Sequence, residues 1–325
     1  VIHPISHILR NSPSRKKLNI LCFPTHEGYQ TALANTGHNF YMMGGPNLKS
    51  WDYHTRPLPP NHYIYPISNG LRFDIEIDLI LTQERFNQLP MGLDIQKTCG
   101  APLVHLEHTE PPPGINEKQL AKIQVHKGQK HVYITDYNRN SWADPTAVVI
   151  PHGIDEQTFQ GYNGTQTHGV SVVNLFPQRD RFCGWNIYQE VAKLIPLKLY
   201  GYNPGLSESI NNPKVLSSRL AESRFYLNTS ILSPVPLSLL EAACVGLPIV
   251  STAYQEVPKI FTHGSNAFLS NDPQELVKYC KILLENPDLA KTMGDEARKL
   301  VLNRFSMSQF VSNWNSVFES VLKGN

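Results

Sequence analysis

The strongest constraint on how this chain folds is a series of short, continuously apolar runs, each followed by a turn and then a helix-forming stretch. Residues 18–23, 39–43, 78–82, 102–106 and 132–135 are such runs in the first half. Residues 170–175, 197–200, 225–228 and 248–251 continue them in the second. A strand that is apolar on both faces must be covered on both faces, and intervening helices supply that cover. The pattern predicts an α/β chain with parallel, doubly wound sheets rather than hairpins. Helices are expected over 28–34, 186–194, 237–244, 273–284 and 288–303. Ser306 is placed to cap a last helix on which Phe310, Trp314, Val317, Phe318 and Val321 share a face. The Pro- and aromatic-rich stretch 44–69 reads as a loop.

With 325 residues the chain is long enough for two cores. No apolar run approaches the ~18 residues of a membrane span, so none is expected. The net charge of +2 gives no support to nucleic-acid binding. Residues 1–17 form a basic leader, with Arg10, Arg15, Lys16 and Lys17 and no acid, and read as solvated. The start at Val1 lacks the pattern of a secretory signal and is equally compatible with a piece of a longer multidomain protein. Five widely spaced cysteines beside apolar residues predict reduced, buried thiols and a cytoplasmic setting.

Two segments carry the chemistry. Residues 233–252 read as a loop, a helix opened by Pro236, a turn at Gly246 and a buried strand after Pro248. Glu241 is the one charge in this apolar stretch. The plain alternative is a solvated helix residue. The helix N-terminus just before it is suited to an anion, with Glu241 one turn on, in reach of a sugar hydroxyl. Upstream, residues 147–155 form an apolar strand that ends in Pro151-His-Gly-Ile-Asp155.

Ile-Pro-His-Gly-Ile-Asp followed by Glu241-Ala-Ala-Cys-Val-Gly-Leu-Pro-Ile-Val resembles the retaining, nucleotide-sugar-dependent glycosyltransferases of the glycogen-synthase-like clan (glycosyltransferase group 1). The resemblance is good over roughly 145–325 and weaker before. It implies the GT-B fold: two Rossmann-like domains facing across a cleft, with a C-terminal helix crossing back to the first domain. The expected divisions are the leader 1–17, an acceptor domain 18–150, a nucleotide-sugar domain 151–305 and the returning helix 306–325. It implies no cofactor and no metal, with a nucleotide-diphosphate sugar as co-substrate. The acceptor is open among a glycan, a lipid, a protein and a DNA base.

By the same resemblance, Glu241 accepts from the donor ribose hydroxyls. The family's first motif glutamate falls at Ser233, eight positions earlier, a departure that touches sugar recognition. Pro234 and Pro236 remove two backbone N–H groups from the loop that cradles phosphate and sugar, whereas Val235 and Leu237 keep theirs. Thr229, Ser230, Ser233 and Ser238 are candidate hydroxyl donors. Cys183 stands before Gly184, where the family has lysine. Arg179 and Arg181 are then the candidate diphosphate clamp, with Arg181 acting on the leaving group and surface charge as the plain alternative. In the first domain, Gly28 corresponds to a glycine-rich donor loop. His26 and Glu27 follow the first strand and face either acceptor or donor. His108 is the candidate catalytic histidine, with Glu110 a lesser acceptor-side candidate; a loop stiffened by Pro111–Pro113 is the alternative. Two other functions stay open. One is a phage-type transferase acting on hydroxymethylated DNA bases. The other is a catalytically degenerate binding module, for which Ser233 and the absent lysine speak.

Overall fold

The computed structural model describes residues 17–45, 48–66, 75–123 and 129–324. The leader, apart from Lys17, lies outside the described residues. The chain divides into two compact units. The first comprises Val1–Asp52, Leu58–Pro151 and Ser308–Asn325; the second comprises Tyr53–Pro57 and His152–Met307.

The first unit holds seven parallel strands: β1 Asn19–Cys22, β2 Asn39–Gly44, β3 His62–Pro66, β4 Leu79–Thr82, β5 Leu103–Glu107, β6 Lys130–Tyr133 and β7 Val148–Val149. Their order is β3-β2-β1-β4-β5-β6-β7. The register sets Ile20 beside both Phe40 and Leu79. β1, β4 and β5 are buried at every position, as their unbroken apolarity requires. β3 lies inside the stretch expected to be a loop. It is an edge strand whose Tyr63 and Ile64 are exposed, so it lacks the continuous apolar signal. The apolar strand expected to run from Ala147 into the Pro151 turn is the two residues of β7. Helix Gln88–Cys99 is not foreshadowed by the apolar pattern. It lies close on the sheet because Gly92 has no side chain: a Cβ there would meet Thr82 Cγ2 at 2.5 Å. The terminal helix, Met307–Leu322, buries Phe310, Trp314, Val317 and Phe318. Trp314 Nε1–H donates to the Tyr29 hydroxyl at 3.0 Å, which ties this helix to helix Glu27–Leu33. Each buried aromatic contributes about 2–3 kcal/mol.

The second unit holds β8 Gly169–Val172, β9 Leu197–Tyr200, β10 Tyr226–Asn228, β11 Ile249–Ser251 and β12 Ala267–Leu269. All are parallel, in the order β12-β11-β10-β8-β9. Helix Leu237–Val245 is buried from Leu239 to Val245 and is apolar apart from Ser238 and Glu241. It packs with β10 and helix Pro287–Arg304 in one core that includes Leu239, Leu240, Ala297 and Val301. No described helix is long and apolar enough to cross a membrane.

Both sheets reverse direction beside their first strand, β1/β4 in one and β8/β10 in the other. At such a reversal the two connections leave toward opposite faces. The crevice at the strands' carboxyl ends is where open α/β sheets take ligands.

Candidate functional site

In the second unit, the loop after β8 carries Arg179 and Arg181, and the loop after β10 carries Ser233 and leads to Glu241. These loops flank the reversal point of the sheet, and the protein stitches them together. The Thr229 hydroxyl donates to the Cys183 carbonyl at 2.9 Å, and the N–H groups of Ile231 and Leu232 donate to the Phe182 carbonyl. Gly184 makes this approach possible. It has φ +71°, and a Cβ would stand 2.0 Å from the Thr229 carbonyl oxygen. A glycine therefore sets the distance between the two loops.

The sequence motif pair also meets in space. His152, from the Pro-His-Gly turn, is buried and hydrogen-bonded to the backbone of Val235 in the loop before helix Leu237–Val245. Burial lowers its pKa to about 4, so the ring is neutral at pH 7.

Glu241 is not solvated; it is 5% exposed. Its Oε1 accepts from Arg56 Nη2 at 2.7 Å. Burial raises the Glu241 pKa, and the adjacent guanidinium opposes that rise. A lone buried carboxylate is costly, and the charge-assisted bond from Arg56 offsets the cost. Arg56 belongs to the segment Tyr53–Pro57, which is bound to the second unit at several points. Asn211 donates to the Tyr53 carbonyl at 2.9 Å, Ser209 donates to the His54 carbonyl, and Asn174 donates to the Thr55 hydroxyl at 2.8 Å. The His54 ring stacks on Tyr202, with centroids 4.2 Å apart. Sequence reasoning misses Arg56 because its partner lies 185 positions away and its surroundings read only as a loop.

Arg179 and Arg181 are exposed at the surface of the β8 loop, in a 3-10 turn and the short helix Asp180–Cys183. Arg179 reaches the Asn174 carbonyl at 3.4 Å. Ser233 and Leu237 are half-buried and Val235 is buried. Two of the four candidate hydroxyls already serve the protein: Thr229 as above, and Ser238, which donates to the Val172 carbonyl and accepts from Tyr226. Both hydroxyl protons are thus engaged within the protein.

In the first unit the candidates gather at the carboxyl ends of β1 and β5. His26 is exposed and stands at the N-terminus of helix Glu27–Leu33. Gly28 lies in the first turn of that helix, not in a loop. Glu27 is buried; its carboxylate takes Lys49 at 3.0 Å and the Asp52 N–H at 3.2 Å. Glu110 accepts from Asn138 at 2.7 Å and so holds its own loop. His108 is 7% exposed. Its ring is 4.2 Å from that of His26 and meets the edge of Tyr29 at 4.9 Å. Its Nε2 is 3.2 Å from Gln83 Oε1. Gln83 directly follows β4, across the reversal point from β1, and the sequence patterns do not single it out. A signal exists all the same: it is a polar residue at the carboxyl end of an apolar strand. Deeper in the same unit, Glu107 is buried beside Arg85 at 3.2 Å and His105 at 3.5 Å. Burial alone would raise its pKa, but His105 and Arg85 together hold it below the usual carboxylate range.

A family model described as glycosyl transferase-like matches residues 185–316. This region contains the loop after β10 and Glu241, whereas Arg179, Arg181 and Gly184 precede it. The N-acetyl-alpha-D-glucosaminyl L-malate synthase of Bacillus anthracis is 29% identical over 106 residues, covering 32% of this chain and 28% of that protein. An uncharacterized glycosyltransferase of Haemophilus influenzae is 31% identical over 169 residues, 46% of this chain and 48% of that protein. The chain thus spans less than half the length of these curated relatives. Among solved structures, Anabaena HepE in complex with UDP and glucose superposes with a TM-score of 0.74 at 13% identity, over 94% of this chain and 100% of that one. Sucrose-phosphate synthase of Thermosynechococcus elongatus gives 0.69 at 14% identity, over 95% of this chain and 100% of that one. These likenesses are of fold, and the fold is GT-B, as the sequence motifs predict.

Proposed function

We propose that this chain, a GT-B protein with a glycosyl transferase-like region over residues 185–316, moves a sugar from a nucleotide-sugar donor to an acceptor hydroxyl. One observation carries the reading: a buried carboxylate, Glu241, one turn into the helix that follows β10 at the second sheet's reversal point. A carboxylate buried there needs a purpose, since an apolar residue of its size would pack at lower cost. Ribose hydroxyls are suitable partners. With Oε1 held by Arg56, Oε2 is the oxygen assigned to a ribose hydroxyl. Arg179 and Arg181, exposed on the neighbouring loop, take the diphosphate. Arg181 stabilises the charge that develops as the glycosidic bond breaks.

The HepE structures hold UDP, UDP-glucose, or UDP with glucose, which supports a nucleotide-sugar donor here. We extend the reading to retention of configuration without a metal, because the arginines supply the charge a metal would bring. The acceptor binds the first unit near His26 and His108. All five cysteines are unpaired and buried, which supports a reducing, cytoplasmic setting.

The experiment is a thermal-shift screen across nucleotide sugars, followed by donor hydrolysis without acceptor. A donor at 100 times its Kd stabilises by about 2.7 kcal/mol. Stabilisation together with slow hydrolysis supports the transferase. Binding without any turnover favours the binding-module reading, for which Cys183 in the lysine position speaks. No stabilisation by any nucleotide sugar rules out both.

A further inference from the structure

Behind His108 runs a line of buried polar groups that the proposed chemistry does not by itself explain. Gln83 Nε2 donates to Gln30 Oε1 at 2.7 Å, and Gln30 Nε2 reaches Cys22 Sγ at 3.5 Å. Gln30 is fully buried, Cys22 is too, and Gln83 is 2% exposed. Two glutamines buried this deeply satisfy their amides inside the protein, so their orientation is set by their neighbours.

The direction of the chain can be argued from atoms that have no choice. Gln83 Nε2 also lies 3.5 Å from the backbone carbonyl of Phe23. A carbonyl oxygen only accepts. Turning the Gln83 amide over would set its Oε1 against the Phe23 oxygen, two acceptors face to face. Turning Gln30 alone would set its NH2 group against that of Gln83. Both amides therefore keep their orientation together, and Gln83 presents its oxygen to His108. An oxygen facing Nε2 at 3.2 Å requires a proton on Nε2.

We propose that Gln83 is a positioning residue that fixes His108 as the Nε2–H tautomer, leaving Nδ1 as the ring's acceptor nitrogen. This rests on the reading of the chain as a glycosyltransferase for its purpose, not for its geometry. Nδ1 of a histidine locked in this way accepts only from a group that donates, and a hydroxyl of the sugar or of the acceptor is of that kind. It does not serve as a hydrogen-bond donor to phosphate while neutral. The ring's orientation is confined as well: among the described residues the His26 and Tyr29 rings pack against it, and Tyr29 is itself held by Trp314 and Phe310 of the terminal helix.

The test is nitrogen NMR of imidazole-labelled protein, with His108 assigned by its loss in His108→Asn. In the wild-type chain at neutral pH, His108 is expected as Nε2–H. In Gln83→Met the acceptor is gone, and Nδ1–H becomes populated. In Gln83→Glu a carboxylate faces Nε2–H, which favours the imidazolium and raises the His108 pKa by about one unit or more. With an active donor, Gln83→Met lowers kcat about tenfold or more with little change in donor KM, and Gln83→Glu shifts the pH profile alkaline. A wild-type Nδ1–H tautomer overturns the proposal. So does a His108 tautomer and titration unchanged in both variants. Absence of transferase activity with the expected tautomers would refute the functional reading and leave the positioning claim standing.

Discussion

Replacing Arg56 by methionine should destabilise the second unit in a way that depends on Glu241. The two side chains are 9% and 7% exposed and meet at 2.7 Å. Removing one member of such a pair leaves the other buried and uncompensated, a cost of about 3–5 kcal/mol. The cost is bounded from above because Glu241, whose pKa burial already raises, can take up a proton instead. In Arg56→Met the folded-state pKa rises further above the unfolded value. The folded state then binds more protons than the unfolded one, so the variant loses stability as pH rises. The deficit should be small near pH 4 and largest at pH 8. Glu241→Gln should also destabilise, since it strands the guanidinium. The double variant Arg56→Met, Glu241→Gln should recover about 2 kcal/mol or more relative to the sum of the singles. Urea unfolding at pH 5 and pH 8, with amide exchange in helix Leu237–Val245 as the local readout, makes the measurement. Additive single effects, or an Arg56→Met penalty independent of pH, would refute the view that Arg56 is what makes a buried Glu241 tolerable.

Three further outcomes are expected. Arg181→Ala should lower kcat about a hundredfold while changing donor KM far less, because its charge acts on the departing diphosphate; steady-state kinetics with the best donor of the screen decide it, and an unchanged kcat places the clamp elsewhere. Gly184→Ala combines a left-handed backbone with a Cβ 2.0 Å from the Thr229 carbonyl, so it should cost about 2 kcal/mol or more and weaken donor binding by spreading the two loops; a denaturation midpoint equal to wild type would contradict the stitching. Burial lowers His62, His105 and His152 each to about 4, so between pH 6.5 and 4 the unfolded chain binds more protons and stability drops by about 1.4 kcal/mol per histidine for each unit of acidification; thermal melts across that window should show the decline, which a flat profile would disprove.

The alternation of apolar strands and helices is legible in the sequence itself, because burial on both faces of a parallel strand leaves an unbroken apolar run. β1, β4, β5, β10 and β11 all carry that mark, and so does helix Leu237–Val245, where Pro236 and Gly246 punctuate both ends. β3 does not, since an edge strand with Tyr63 and Ile64 in water has no reason to be apolar throughout. β12 escapes notice as well, and at three residues it is too short to show a pattern. Glu241 stands out as the one charge in an apolar helix, whereas Arg179, Arg181 and Ser233 become candidates through the family resemblance, which places them in loops after recognisable strands. Their neighbourhood is not written there. That Glu241 is buried, that Arg56 reaches it across 185 positions, and that His152 meets the Val235 backbone depend on which strands lie side by side. The same holds for His108, whose tautomer is argued from Gln83, Gln30 and the Phe23 carbonyl, supplied by the end of β4, the helix after β1, and the end of β1. Local sequence determines which segments become strands and helices, because propensity and periodicity act over a few residues. The protonation and charge of a buried group depend on whichever atoms the sheet order brings within about 3 Å of it, and only the tertiary structure decides those.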